Sequence, residues 1–218
     1  MADLTGRRLY LCTADRPNLV SFLAACMRGG VDIVQLRDKD LEARPLLARA
    51  TEAAAVCADF GVPFVLNDRP DLAMACGADG VHVGQDDVPP EVCRQILGPD
   101  AIVGFSTHAH AEWDATPGPI VDYLSAGPVN ATPTKPGRPG TGLEYLSYAA
   151  RSDEVRPWFV TGGVTPETVP AMTAAGARRF VVVRYLTKST DPASSARSLR
   201  NAIDKAIADA TEDRSVDP

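Results

Sequence analysis

Two short runs carry the clearest chemistry in this chain. Pro63-Phe-Val-Leu-Asn-Asp-Arg and Asp79-Gly-Val-His-Val-Gly-Gln-Asp-Asp each read as a buried strand running into carboxylates, Asp68 after the first and Asp86 and Asp87 after the second. Acids just past two consecutive strands are placed to share one hard cation, since Mg2+ is usually held by one or two carboxylates together with waters and phosphate oxygens. A third run, Gln35-Leu-Arg-Asp-Lys39, alternates, so in extended backbone Gln35, Arg37 and Lys39 point the same way. They form a donor face with two positive charges, suited to phosphate or pyrophosphate. With Lys135, the acids Asp68 and Asp87 and these cations read as a Mg2+-pyrophosphate site. Plainer readings stay open beside it. Residues 35–40 also fit a solvated loop of mixed charge, and Asp71 or Asp87 also fits as an N-cap of the helix that follows it.

Two glycine-containing segments extend the candidate site. Thr132-Pro-Thr-Lys-Pro-Gly-Arg-Pro-Gly-Thr-Gly142 is a long loop of the kind that often forms a lid, with hydroxyls and Lys135 to meet an anion. It lacks the residue order of a P-loop, and a plain insertion is the alternative. Val160-Thr-Gly-Gly-Val-Thr-Pro-Glu places Gly162 and Gly163 between a strand and a helix expected to start at Thr165, with Pro166 at its first position. Backbone N–H groups there suit a phosphate monoester; a tight turn without a ligand is the alternative. His108 sits near Ser106 as a candidate ligand contact, His82 reads as an interior residue, and His110 as a helix start. No Ser/His/Asp or Cys/His nucleophile arrangement stands out.

These residues need elements to hold them. Short apolar runs at Leu9–Thr13, Asp32–Leu36, Pro63–Leu66, Gly80–Val83, Ala101–Phe105, Tyr123–Ser125, Trp158–Val160 and Arg179–Val183 alternate with longer amphipathic stretches such as Leu41–Phe60. Continuous apolar strands are buried on both faces, as in a parallel sheet. Eight β-then-α units predict an α/β, single-domain (β/α)8 TIM barrel over residues 1–208, with a polar, disordered tail at 209–218. An open doubly wound sheet is the alternative. Gly29-Gly-Val-Asp, Gly77-Ala-Asp-Gly and Gly176-Ala-Arg-Arg punctuate the repeating unit, each glycine ending a helix. In such barrels the active site lies at the C-terminal ends of the strands, and the polar residues named above fall there.

Composition narrows the function classes. The 218 residues carry a formal net charge of −6, which argues against a general nucleic-acid binder but leaves room for a small anionic substrate. The five cysteines form no C-x-x-C pair, so neither zinc nor a disulfide framework is expected. Reduced thiols suit a cytoplasmic location. No run approaches the ~20 apolar residues of a membrane helix. Pairing into a homodimer is an expectation from fold-level analogy alone.

Taken together, V-Q-L-R-D-K, L-N-D-R, G-V-H-V-G-Q-D-D, G-P-V-N-A-T-P-T-K and T-G-G-V-T resemble, in order, the motifs of the thiamine phosphate synthase (thiamine-phosphate pyrophosphorylase) family, over Tyr10 to about Thr187. The resemblance implies a transferase that joins a hydroxymethylpyrimidine diphosphate to a (carboxy)thiazole phosphate and releases pyrophosphate. It implies that Gln35, Arg37, Lys39, Asn67, Ser106 and Lys135 bind the pyrimidine diphosphate, with Arg37, Lys39, Ser106 and Lys135 in the catalytic role. Asp68 and Asp87 would hold Mg2+, and Thr132, Thr134 and Gly163 would bind the thiazole phosphate. Asp86 is then left as a supporting or solvent-facing neighbour. Two departures from the family pattern are a short, Pro-broken segment at Trp113–Pro119 and Arg184-Tyr185 where small residues are usual. A thiazole tautomerase of the same superfamily and a non-catalytic binder of thiamine precursors are the rival readings.

Overall fold

The computed structural model of the protein describes residues 4–131 and 139–215. Its elements in order are β1 (Leu9–Thr13), α1 (Leu19–Arg28), β2 (Ile33–Leu36), α2 (Ala43–Asp59), β3 (Phe64–Asn67), α3 (Pro70–Cys76), β4 (Gly80–Val83) and α4 (Pro90–Leu97). They continue with β5 (Ile102–Thr107), α5 (His110–Asp114), β6 (Tyr123–Ala126), α6 (Gly142–Arg151), β7 (Trp158–Val160), α7 (Val169–Ala174), β8 (Phe180–Val182), α8 (Arg184–Thr187) and α9 (Pro192–Ser215). Each strand pairs in parallel with the next in the chain, and β8 pairs with β1, which closes the barrel and excludes an open sheet.

Period-two alternation sorts the strand side chains into two sets. Leu9, Leu11, Val34, Leu36, Phe64, Leu66, Val81 and Val103 belong to the large apolar layer between strands and helices. Tyr10, Ile33, Val65, Ile102, Tyr123 and Phe159 fill the barrel interior with Leu4. Farther along the strands by an even number of residues, facing the same way, come Cys12, Gln35, Asn67, His82, Ser106 and Ser125. The interior is thus apolar at one end and polar at the other, and the polar end is the C-terminal one. Long side chains at the interior are accommodated by missing ones: a Cβ on Gly104 would run into the ring and hydroxyl of Tyr123 on the neighbouring strand.

The opposite end is held by acids that stand just before β2, β4 and β6. Asp32 accepts the backbone N–H groups of Arg8 and Leu9, each at 2.9 Å, and pairs with Arg200 of α9 at 2.8 Å. Asp79 accepts the N–H of Phe64, and Asp122 accepts that of Val103 while pairing with Arg94. Each acid therefore pins the start of the preceding strand, where the first N–H groups would otherwise lack partners. Burial, opposed by the Arg8 and Leu9 N–H groups and Arg200, raises the Asp32 carboxyl above its usual range.

Several boundaries differ from the sequence reading. Asn67, Ser106 and Thr107 lie within strands rather than after them, because the ladder extends farther at the rim than the apolar runs do. The helix expected from Thr165 starts at Val169; Thr165–Thr168 forms a turn in which the Thr168 hydroxyl accepts the Thr165 N–H at 2.9 Å. At the first glycine pair the left-handed residue is Gly30, φ 106°, while Gly29 stays right-handed beneath α9. The tail expected beyond residue 208 is helical to Ser215. Asp87 caps no helix, since α4 begins after Pro89, and Asp71 sits in the first turn of α3 paired with Arg69.

Candidate active site

A cavity of about 560 Å³ opens at the C-terminal ends of the strands. Strand β2 and its extension supply Gln35, Arg37 and Lys39; β3 supplies Asn67 and Asp68; the segment after β4 supplies Gly84 to Asp87; β5 supplies Ser106 with His108 beyond it. The turn after β7 adds Gly162 to Thr165, and the start of α8 adds Arg184 and Tyr185. Residues predicted from separate sequence runs thus line one cavity. Thr132, Thr134 and Lys135 lie outside the described residues.

The two predicted metal ligands are brought together, with a cation already between them. Lys39 Nζ is 2.8 Å from Asp68 Oδ2 and 3.9 Å from Asp87 Oδ1. Lys39 therefore faces the acids rather than standing beside Arg37 as a pure donor face. Asp68 has φ 62°, a left-handed conformation that short polar residues such as Asp and Asn tolerate best. Its N–H donates to the His82 carbonyl at 2.9 Å, which ties the end of β3 to β4. Asp87 Oδ2 accepts the Gly84 N–H at 2.8 Å. Burial and then the neighbouring Asp87 carboxyl push the Asp68 carboxyl above its usual range, against the pull of Lys39. For Asp87, burial also pushes upward, but the Asp68 contact, the Gly84 N–H and Lys39 outweigh it and hold the carboxyl below its usual range. Two half-buried carboxyls in hydrogen-bond contact call for a shared proton or a shared cation.

A hard divalent ion fits that arrangement. The donors are carboxylate oxygens, and the place between them is one a positive charge occupies in the structure. Among the described residues no three His, Cys, Asp or Glu side chains gather as a ready cage. Two carboxylates with the remaining positions left to substrate oxygens and water is the usual Mg2+ pattern.

The glycine turn after β7 is shaped by close backbone approach. Gly162 and Gly163 have φ 98° and 82°. A Cβ on Gly162 would come within 2.6 Å of Val129 N, and one on Gly163 within 2.7 Å of Asn130 Nδ2. With no side chains in the way, the backbone itself faces the cavity, as an anion cradle requires.

One contact joins His82, a residue read from the sequence only as interior, to the candidate ligand Ser106. His82 Nε2 lies 2.9 Å from Ser106 Oγ, and His82 Nδ1 lies 2.9 Å from the Tyr123 hydroxyl. Ser106 also lies 3.3 Å from Ser125 Oγ. His82 is interior, as expected, but it also lines the cavity. The sequence does hold a signal for it: in Gly80-Val-His-Val-Gly84 both valines face the helices, so the histidine between them must face the barrel. The arrangement departs from a Ser-His-Asp triad, in which a carboxylate meets the second ring nitrogen: here the Tyr123 phenol meets His82 Nδ1. His108 instead pairs with Glu112 at 3.0 Å.

Comparison with known proteins gives a consistent result. A family model described as thiamine monophosphate synthase matches residues 9–186. A thiamine-phosphate synthase of Thermus thermophilus is 46% identical over 201 residues, covering 90% of this chain and 97% of that protein. One from Thermobifida fusca is 46% identical over 211 residues, covering 94% and 96%. Among solved structures, a thiamine phosphate pyrophosphorylase from Pyrococcus furiosus superposes with a TM-score of 0.78 at 26% identity, covering 92% of this chain and 96% of that one. A 3-hexulose-6-phosphate synthase shares the fold, with a TM-score of 0.65 at 19% identity.

Proposed function

The chain belongs to the thiamine monophosphate synthase family, and from that premise we propose how its cavity joins a hydroxymethylpyrimidine diphosphate to a thiazole phosphate. The protein is an enzyme of the transferase class, and thiamine phosphate is its product. The observation that carries the residue assignment is the Asp68–Lys39–Asp87 cluster, set in one cavity with Arg37, Asn67, Ser106 and the Gly162–Gly163 turn.

In this reading Asp68 and Asp87 hold Mg2+, which, when bound, supplies charge neutralisation for the pyrophosphate group. Lys39 is then released from the two acids to join Arg37 and Lys135 on the diphosphate. Their attraction grows as the methylene–oxygen bond breaks and the electron pair leaves with pyrophosphate, so it favours the transition state over bound substrate. Gln35, Asn67 and Ser106 hold the pyrimidine ring at the cavity floor. The Gly162–Gly163 backbone, with Thr132 and Thr134, holds the thiazole phosphate. The thiazole nitrogen lone pair then forms the new bond to the cation-like methylene, and the thiazole nitrogen carries the positive charge in the product. Holding the two substrates in this orientation converts an encounter into a unimolecular step. No protein nucleophile is required.

A thiazole tautomerase would use a phosphate cradle without two acids around a lysine, and a binder of precursors would need no such cluster. The cluster supports the synthase. A cytoplasmic location and pairing into a dimer belong to the same proposal; among the described residues no helix is long and apolar enough to cross a membrane, and all five cysteines are buried thiols outside any disulfide. The direct test incubates purified protein with both precursors and Mg2+ and measures thiamine phosphate. Product formation is expected, and its absence would sink the reading.

A further inference from the structure

The hydrogen-bond chain on the cavity floor is longer than ligand contact requires. Cys12 Sγ donates to Gln35 Oε1 at 3.1 Å, and Gln35 Nε2 donates to the Tyr10 hydroxyl at 2.7 Å. Tyr10 and Tyr123 hydroxyls are 2.8 Å apart, and Tyr123 then meets His82 Nδ1, whose Nε2 meets Ser106. The chain runs across the barrel interior from Cys12 on β1 to Ser106 on β5 and begins and ends on cavity-lining side chains.

Each hydroxyl has one hydrogen to give, so one fixed end sets every link. Gln35 presents an N–H to Tyr10. With every hydroxyl hydrogen used within the chain, Tyr10 donates onward to Tyr123, and Tyr123 to His82 Nδ1. His82 is then neutral with its proton on Nε2, which it donates to Ser106. The Ser106 hydrogen is turned away from His82, free to meet Ser125 or a ligand acceptor. Had the Gln35 amide the opposite orientation, the chain would run backward and Ser106 would donate to His82 instead. Both phenols stay protonated, Tyr10 and Tyr123 alike being raised chiefly by burial. Packing holds Tyr123 in this place: its ring stacks on His82 at 5.4 Å between centroids, and Gly104 leaves the space it occupies.

We propose that His82 is a positioning residue which, through Tyr123 and Tyr10, couples the amide orientation of Gln35 to the hydroxyl direction of Ser106. The coupled floor presents an amide oxygen at one end and a hydroxyl hydrogen at the other. That pattern fits an aminopyrimidine, whose amino group donates and whose ring nitrogen accepts. It opposes the oxo analogue, in which a carbonyl replaces the amine and a ring nitrogen gains hydrogen. This inference rests on the proposed seating of the pyrimidine between Gln35 and Ser106.

The test is 15N NMR of the full-length protein, with His82 assigned by the His82→Gln variant, alongside kinetics of Tyr123→Phe. In the wild type His82 is expected as the neutral Nε2–H tautomer. Tyr123→Phe removes the donor to Nδ1, so the tautomer should shift toward Nδ1–H. In that variant KM for the pyrimidine diphosphate should rise about tenfold, the loss of one buried hydrogen bond and the order it imposes. KM for the thiazole phosphate should stay within about twofold, and discrimination against the oxo analogue should fall by about the same tenfold. His82→Gln, whose amide accepts at one atom and donates at the other, should keep more of that discrimination than His82→Leu. An imidazolium or an Nδ1–H tautomer in the wild type overturns the proposal. So does a Tyr123→Phe protein with unchanged tautomer and unchanged KM. If the wild type makes no thiamine phosphate, the synthase reading fails, while the NMR result still decides the coupling.

Discussion

Asp68→Asn separates what this residue does for the fold from what it does in the cavity. The position is left-handed, φ 62°, and asparagine tolerates that region nearly as well as aspartate. The backbone N–H bond to the His82 carbonyl does not depend on the side chain. What is lost is the pair with Lys39, whose side chain is 51% exposed against 21% for Asp68. A pair that open contributes about 1 kcal/mol or less. Burial and Asp87 already disfavour the ionised Asp68 carboxyl, so a neutral amide offsets part of that loss. The melting temperature should therefore fall by no more than about 4 °C in a chain of this size. Asp68→Ala keeps the loss and adds about 1 kcal/mol for a non-glycine residue without local polar support at positive φ, so it should melt lower still. Turnover should behave differently. Removing one of the two acids proposed to hold the ion should lower kcat by at least about 100-fold in both variants, with Mg2+ dependence shifted to higher concentration. Circular dichroism melts and a product assay at saturating Mg2+ measure the two quantities. Near-native turnover in Asp68→Asn would remove Asp68 from the metal site, and an unfolded Asp68→Asn would refute the backbone argument.

Four further outcomes follow from the geometry. Asp32→Ala leaves the Arg8 and Leu9 N–H groups and Arg200 without their shared acceptor. Urea unfolding should show a loss of about 3 kcal/mol, with KM values unchanged, because the site is at the other end of the barrel. Gly163→Ala places a Cβ within 2.7 Å of Asn130 Nδ2 at φ 82°, so it should raise KM for the thiazole phosphate more than tenfold while KM for the pyrimidine diphosphate holds, as initial-rate kinetics would show. Chelation by EDTA should abolish turnover and Mg2+ should restore it. Mg2+ with pyrophosphate together should raise the melting temperature of the wild type but not of Asp87→Asn, since only a bound ligand shifts unfolding.

How much is legible in the sequence depends on the distance over which each feature is specified. Period-two alternation and helix spacing are local, so the eight strands and their order can be read from runs such as Leu9–Thr13 and Gly80–Val83. Alternation also decides which face each strand residue takes, and strand ends mark the rim, which is why Gln35, Asn67, Asp68, Asp87 and Ser106 can be assigned to one rim from the amino-acid order alone. Helix boundaries such as the start of α7 are not legible, because a hydroxyl-closed turn at Thr165–Thr168 competes with a helix start using the same residue types. Contacts between side chains are not legible either. Lys39 turning from phosphate-facing donor to a bridge between Asp68 and Asp87, and the Tyr10–Tyr123–His82–Ser106 chain, join residues on strands that meet only after the barrel closes. Composition and spacing say which groups are present and which way they face. Only the closed barrel, with its register and its missing Cβ at Gly104, decides which of them come within hydrogen-bond distance, because that distance is set by packing across the interior and not along the chain.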